Sequence, residues 1–266
     1  MKSRSDAERF FGDNAAAYAT SAPHAKGESL QLLLAATEPG AGWRVLDVAT
    51  GAGHTALTFA PHVAHVVATD LTLQMLLQTR RLARERGRRL DLARHDAAAL
   101  PFAAETFDLV TCRIAPHHFP AVGTFVREAV RVTKPAGLVA IVDNVVPGTH
   151  LRGKPRRRAE KAAAYINAFE TLRDPSHVRA LSAHEWERRL ADAGTVIIHS
   201  SLSHKTMDFA SWTDRTGIDD ETRLRLRVML QQAPEGAAAH LTPQIAGDRI
   251  TFRLTEAIIV GKKSEN

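Results

Sequence analysis

The run Val45-Leu46-Asp47-Val48-Ala49-Thr50-Gly51-Ala52-Gly53-His54-Thr55-Ala56 carries an apolar strand into a glycine-rich bend, and a helix opens directly after it. A bend of this kind brings a ligand against bare backbone at a helix N-terminus. Glycine serves there because a Cβ would block close approach and because the turn can demand φ > 0. Nineteen residues beyond Gly51, Asp70 closes a second apolar run, His65-Val66-Val67-Ala68-Thr69-Asp70. A carboxylate at that strand end is placed to accept both ribose hydroxyls of a nucleoside cofactor. The segment therefore reads as a nucleoside-cofactor site on a doubly wound sheet.

Two cofactor classes compete for it. Gly51-Ala52-Gly53-His54-Thr55-Ala56 fits the G-x-G-x-x-G/A fingerprint of nicotinamide-binding folds, a short signal when it stands alone. Asp47, inside the approach to the loop, would repel a pyrophosphate. It suits a cofactor bearing an ammonium and a sulfonium. Asp96 opens Asp96-Ala97-Ala98-Ala99-Leu100-Pro101-Phe102, a third acidic strand end able to accept from an adenine amino group. Phe107–Arg113 supplies a fourth strand. Short-chain dehydrogenases also need a Tyr-x-x-x-Lys pair, whereas Ala22 and Phe169 stand four residues beyond Tyr18 and Tyr165.

At these residues the chain resembles the class I S-adenosylmethionine-dependent methyltransferases, in particular the bacterial branch related to ubiquinone and menaquinone C-methyltransferases. The resemblance spans about residues 8–200, with one departure: Ala49 replaces the first glycine of the usual acidic-x-Gly-x-Gly-x-Gly loop. It implies an α/β fold, a Rossmann-like, doubly wound, mostly parallel seven-stranded sheet. It further implies S-adenosylmethionine as cofactor. Asp47, Ala49, Thr50, Gly51 and Gly53 would hold its methionine end, Asp70 and Leu71 the ribose, Asp96 and Ala97 the adenine, and Arg113 the pocket floor. The expected reaction is methyl transfer to a small cyclic, quinone-like or other secondary-metabolite acceptor. A nicotinamide-dependent oxidoreductase and a non-methylating protein that keeps S-adenosylmethionine as a ligand are the alternatives.

Methyl transfer from a sulfonium needs alignment more than a catalytic triad, and orientation alone supplies ~7–11 kcal/mol. An acidic acceptor would gain from a base. Arg113-Ile114-Ala115-Pro116-His117-His118-Phe119 follows the fourth strand, where amino-group methyltransferases of nucleic acids or protein carry an Asn-Pro-Pro-Tyr-like signature that is absent here. His117 is the candidate base, weighed against a hydrogen bond that closes the loop; His118 reads as loop packing. Asp143 and Asn144 either orient an acceptor or cap the next loop. His62 and His65 have a metal-ligand spacing but straddle a helix–strand joint without a cysteine or acidic partner close by, so no metal is expected. Cys112, the single cysteine, excludes an internal disulfide and reads as a core residue.

These residues need a frame to hold them. Strands alternating with helices predict a parallel sheet. Residues 71–87 predict a helix with Leu73, Leu76 and Leu77 on its apolar face. Residues 121–133 predict another, with Val122, Phe125, Val126, Ala129 and Val130 at i, i+3, i+4, i+7 and i+8. Leu138–Asp143 is uniformly apolar up to its end and reads as a strand buried on both faces. Ser182-Ala183-His184-Glu185 is a capping box. A sixth strand covers Thr195–Ile198, residues 208–233 read as helical, and Arg249–Val260 forms the seventh strand.

The 266 residues read as a single domain: a helical cover at 1–42, a cofactor-binding core at 43–146, a cap insert at 147–180 and a C-terminal part of the sheet at 181–266. In the cover, Tyr18 and Lys26 are candidate contacts, or the helix simply packs on the sheet edge. In the insert, a helix around Glu160–Leu172 bearing Tyr165, Ile166 and Phe169, followed by Arg173–His177, is expected to line the acceptor pocket; packing of its aromatics on the sheet edge is the alternative. The net charge is +6. Its basic clusters (Arg80, Arg81, Arg84, Arg86, Arg88 and Arg89, then Arg152, Lys154, Arg156, Arg157 and Arg158) lack interleaved aromatics and read as solvated faces, so no nucleic-acid partner is expected. The opening residues lack a signal-peptide pattern and no run approaches the ~20 apolar residues of a membrane span, so a cytoplasmic protein is expected.

Overall fold

The computed structural model describes Glu8 and residues 27–265; Tyr18 and Lys26 lie outside them. Helix α1 (Glu28–Thr37) leads into β1 (Arg44–Val48), α2 (His54–Phe59), β2 (His65–Asp70), α3 (Leu73–Glu85), β3 (Asp91–Arg94) and β4 (Phe107–Arg113). A 3₁₀ turn at Pro116–His118 precedes α4 (Val122–Val132), β5 (Thr133–Asn144), α5 (Lys154–Arg173), α6 (Ala183–Asp192) and β6 (Thr195–Asp208). The chain ends with α7 (Phe209–Asp214), α8 (Asp220–Gln231), α9 (Glu235–Leu241), β7 (Gln244–Ala246) and β8 (Arg249–Lys263).

The strands order as β3-β2-β1-β4-β5-β8-β6, with β7 paired to β8 beside that path. β1 to β5 run parallel, and β8 pairs antiparallel with β5, β6 and β7. This is the expected mostly parallel α/β sheet, extended from seven to eight strands by the short β7. Strand order reverses around β1 and β4, so their carboxyl ends open the crevice where such sheets bind ligands.

β5 shows why the sheet is stable. Val139 and Ile141 join one buried cluster with Phe125, Trp186 and Leu190, while Leu138, Ala140 and Val142 join another with Leu33, Phe59 and Ile258. Successive side chains alternate faces, and helices cover both. Helix α4 buries Phe125, Val126, Ala129 and Val130, the stripe its spacing predicts. Helix α6 starts at a complete capping box: Ser182 N–H donates to Glu185 Oε2 (2.9 Å) and Glu185 N–H to Ser182 Oγ (3.2 Å). Such a cap stabilises a helix by ~1 kcal/mol.

Several elements depart from the sequence expectation. Helix α3 turns Met75, Leu76, Thr79 and Ala83 inward, and Leu73 and Leu77 are exposed. Its orientation is set by Thr79, whose hydroxyl donates to the Gly51 carbonyl (2.8 Å) and so ties the helix to the glycine loop. Helix α5 begins at Lys154, a full turn and more before Glu160. β6 continues to Asp208, and the stretch expected as one helix divides into α7 and α8 around Gly217 at φ +61°. Both basic clusters are exposed. Cys112 is buried in the core, as its place in a strand predicts.

Candidate cofactor and acceptor site

β1 ends in a loop shaped by backbone that side chains rarely adopt: φ is +52° at Ala49, +57° at Gly51 and +89° at Gly53. Asp47, buried just before it, holds the loop together. Its carboxylate accepts from the Thr50 hydroxyl (2.5 Å), the Ala56 N–H (3.1 Å) and the Thr111 hydroxyl (2.8 Å). Burial raises its pKa to about 6, against those donors and Arg113, which favour the charged form. A Cβ on Gly53 would lie 2.6 Å from Thr79 Cγ2, so this glycine lets α3 approach the loop. A Cβ on Gly51 would meet no atom of the described residues within 4 Å; among them it would project into open space.

That space is a cavity of about 540 Å³, within the range of small-molecule sites. Its wall gathers Ala49, Thr50 and Gly51 from the first loop, Asp70 and Leu71 from the end of β2, Asp96 and Ala97 after β3, and Arg113 at the end of β4. Asp47 and Gly53, expected to touch the ligand, stand behind this wall and shape it instead. Asp70 Oδ2 accepts from Gly51 N–H (2.9 Å) and Oδ1 from Thr72 N–H (2.9 Å), which fixes the carboxylate at the cavity edge. Burial raises its pKa. Asp96 Oδ1 accepts from Ala98 N–H (2.8 Å), an Asx turn that shapes the β3 exit. Arg113 Nε donates to Thr55 Oγ1 (3.2 Å), and its guanidinium also reaches Ser29 Oγ (3.3 Å), so the floor of the pocket is pinned to α2 and α1.

The β4 side of the cavity has a different character. Ile114 sits at φ +52°, a strained value for a β-branched side chain, and lines the cavity with Phe119, Phe125, Pro175 and Val178. His118 belongs to this wall; His117 does not. His117 lies behind it with Nδ1 2.6 Å from Asp143 Oδ1. Burial opposes the imidazolium there, but the Asp143 carboxylate outweighs it and the His117 pKa is raised. The candidate base of the sequence is thus hydrogen-bonded to Asp143, outside the residues that line the cavity.

The insert contributes one end only. Pro175, Ser176 and Val178 reach the cavity, whereas Phe169 is fully buried elsewhere, stacked on Trp212 at 4.9 Å and 10° and edge-on to Phe252. Tyr165 donates its hydroxyl to Met229 O (2.9 Å), away from the cavity wall. The alternative reading of this helix, aromatic packing, is what the structure adopts. Sequence reasoning also missed Met75 and His95, which line the cavity from positions without a motif, and assigned no role to His54, a variable position of the glycine-loop motif that lines it too. His95 directly precedes Asp96 and stacks edge-on against Phe102 at 5.4 Å.

The residues fit the expected cofactor in four respects: an open backbone approach at Gly51, a fixed carboxylate at Asp70, a polar turn at Asp96 and apolar cover from Leu71 and Ala97. Among the described residues no group of three or more His, Cys, Asp or Glu could hold a metal ion, and no helix is long and apolar enough to cross a membrane.

Comparison with known proteins points the same way. Residues 45–137 match a family model described as a methyltransferase domain. The chain is 32% identical over 256 residues to the uncharacterized methyltransferase YcgJ of Bacillus subtilis, covering 95% of this chain and 97% of that protein. The crystal structure of YcgJ superposes with a TM-score of 0.80, covering 90% of this chain and 99% of that one at 32% identity. A demethylmenaquinone methyltransferase of Clavibacter sepedonicus is 36% identical over 188 residues, or 63% of this chain and 76% of that one.

Proposed function

The chain belongs to the class I S-adenosylmethionine-dependent methyltransferases, and on that premise we propose that it methylates a small, largely apolar molecule held between the glycine loop and the cap insert. One observation carries the reading. A single cavity has the backbone loop and three strand-end polar residues on one side, and Ile114, Phe119, Phe125 and Val178 on the other.

S-adenosylmethionine, when bound, supplies a methyl group activated by an adjacent sulfonium. The chain's own part is placement. Gly51 leaves room for the methionine end, with Ala49 and Thr50 alongside it. Asp70 and Leu71 receive the ribose, Asp96 and Ala97 the adenine. Arg113 forms the floor, and Asp47 holds the loop from behind. The apolar wall excludes water and presents the acceptor to the methyl. Alignment of this kind accounts for ~7–11 kcal/mol of barrier lowering in oriented reactions. The B. subtilis and C. sepedonicus relatives support a methyl-transfer assignment, and the second, by its printed name, acts on a quinone-type molecule.

Titration calorimetry tests the reading. S-adenosylhomocysteine is expected to bind at micromolar affinity and NADH to give no heat. Asp70→Ala removes an acceptor fixed by two backbone amides and aimed at the ribose; loss of hydrogen bonds to a charged group, each worth ~1.5–3 kcal/mol, weakens S-adenosylhomocysteine by at least about tenfold. Heat from NADH instead, or none from either ligand, would overturn the proposal.

A further inference from the structure

Helix α3 turns to solvent a face that its own packing does not use. Leu73 and Leu77, which their spacing assigns to the core, stand outward at 49% and 43% exposure. Neither belongs to any of the three apolar clusters. Arg80 and Arg84 follow Leu73 at i+7 and i+11, so the four exposed side chains form one stripe about 17 Å long. The turn that ends the helix adds Arg86, Arg88 and Arg89, all exposed. The stripe is apolar at one end and cationic along the rest.

The fold does not neutralise this charge. Glu85 pairs with Arg81 on the flank of the stripe. Arg80, Arg84, Arg86, Arg88 and Arg89 have no ion pair among the described residues. A guanidinium matches a phosphate through two parallel N–H donors, while its aliphatic stem lies along apolar surface. Leucines beside unpaired arginines therefore complement a layer of phosphates over hydrocarbon. A nucleic acid offers the phosphates but no hydrocarbon for Leu73 and Leu77, and no aromatic side chain interleaves the arginines to stack on a base. With 13 residues, α3 is too short to span a bilayer, so the contact is one of surface alone.

We propose that the outer face of α3 docks on an anionic phospholipid bilayer, with Leu73 and Leu77 entering the headgroup–acyl boundary and the arginines resting on lipid phosphates. The two parts of the stripe act differently. The arginines draw the protein to the surface and are weakened by salt, whereas the leucines hold it there by removing apolar area from water. Docking in this way brings the cavity to the lipid, because Leu71, Thr72 and Met75 of the same segment line it. The inference stands without the methyltransferase reading. It also serves that reading, since an apolar methyl acceptor partitions into lipid and would meet the protein beside the cavity.

Co-sedimentation of the full chain with vesicles tests the proposal, using phosphatidylcholine alone and phosphatidylcholine mixed with phosphatidylglycerol. Binding is expected to the anionic vesicles and not to the neutral ones. Arg80→Gln combined with Arg84→Gln should lower partitioning at least about tenfold, since each arginine near such a surface is worth about fivefold. Leu73→Gln combined with Leu77→Gln should lower it at least about fivefold, the worth of two half-exposed leucines. Both variants should keep the wild-type thermal midpoint, because all four side chains are exposed. Arg152→Gln combined with Arg157→Gln removes the same charge from the other exposed basic cluster and should leave binding near wild type. Absence of binding to the anionic vesicles overturns the proposal. So does an equal loss from the two arginine pairs, which would make net charge responsible, or a leucine variant that binds as wild type does. An α3 variant whose midpoint falls in step with its binding would assign the face to packing, and tighter binding to duplex DNA than to the vesicles would assign the arginines to nucleic acid; either result overturns it as well.

Discussion

At the scale of single residues, the glycine loop separates three roles that look alike in sequence. Ala49 takes φ +52° where the resembling enzymes use glycine, and an L-residue pays ~1–2 kcal/mol for that conformation. Ala49→Gly removes the strain but loosens the unfolded chain by ~0.4–1 kcal/mol. The expected result is a thermal midpoint equal to or above wild type, with S-adenosylhomocysteine affinity unchanged. Gly53→Ala meets Thr79 Cγ2 at 2.6 Å and a φ of +89°, so it lowers stability first and affinity only through the displaced loop. Gly51→Ala meets no atom of the described residues; its methyl enters the cavity, so affinity falls by more than the stability loss accounts for. Thermal scans beside calorimetry separate the cases. If Gly51→Ala and Gly53→Ala lost affinity and stability in the same proportion, the two glycines would share one role.

At the scale of elements, α5 changes from an acceptor-binding helix to a packing element. Phe169 lies between Trp212 of α7 and Phe252 of β8, with Ile166, Leu226 and Leu230 in the same buried cluster. Arg173 sits over the Trp212 ring at 4.5 Å and covers the cluster's edge. Phe169→Ala is therefore expected to cost roughly 3–5 kcal/mol of stability, the range for deleting a fully buried aromatic ring. S-adenosylhomocysteine affinity measured below the unfolding transition should be retained. A stable variant with impaired acceptor binding would return α5 to the pocket. What was legible here was the helix and its apolar stripe; its partner was not, because Trp212 and Phe252 lie 43 and 83 residues downstream. The same reason hid most of β6. Its residues 199–206 are largely polar, and they form a strand because β8 pairs with them from Asp208 back to Thr195. β6 is the sheet edge, where Val196, Ile198 and Leu202 are left exposed and alternation of polarity is lost. The strand ends Asp70, Asp96 and Arg113, by contrast, were readable, because each follows an apolar run and its place in the sheet follows from chain order alone. Asp47 was read as a ligand residue because motif spacing records that a carboxylate is present, and not which way it points.

At the scale of the whole molecule, apolar clusters cover both faces of the sheet, and a further one lies beneath α5, α7 and α8. Where the α5 cluster meets the sheet, the junction is polar: His117, Asp143, Glu170, Asp174 and His177 are all buried. His177 Nε2 donates to Asn167 Oδ1 (2.9 Å), and burial lowers its pKa to about 3, so it stays neutral, as His118 does. Glu170 is raised by burial, with Arg173 opposing. Within this seam His117 is the histidine whose pKa is raised, by the Asp143 carboxylate against the effect of burial. The folded pKa of His117 lies above its ordinary 6.5, so the folded protein holds that proton more tightly than the unfolded chain does. The stabilisation is complete below about pH 6.5 and drains away as pH rises through the folded value. Asp143, raised by burial, acts in the same direction, because its anion loses its partner when His117 becomes neutral. His117→Asn combined with Asp143→Asn removes both charges without emptying the site. Measured by denaturant unfolding between pH 6 and pH 9, wild type should lose stability relative to this double variant as pH increases. A gap that stays constant over that range would mean His117 is neutral in the fold and that the cap is held by its apolar contacts alone. A gap that narrows with pH makes the seam the joint through which the insert, and with it Pro175, Ser176 and Val178 of the cavity wall, is fixed to the sheet.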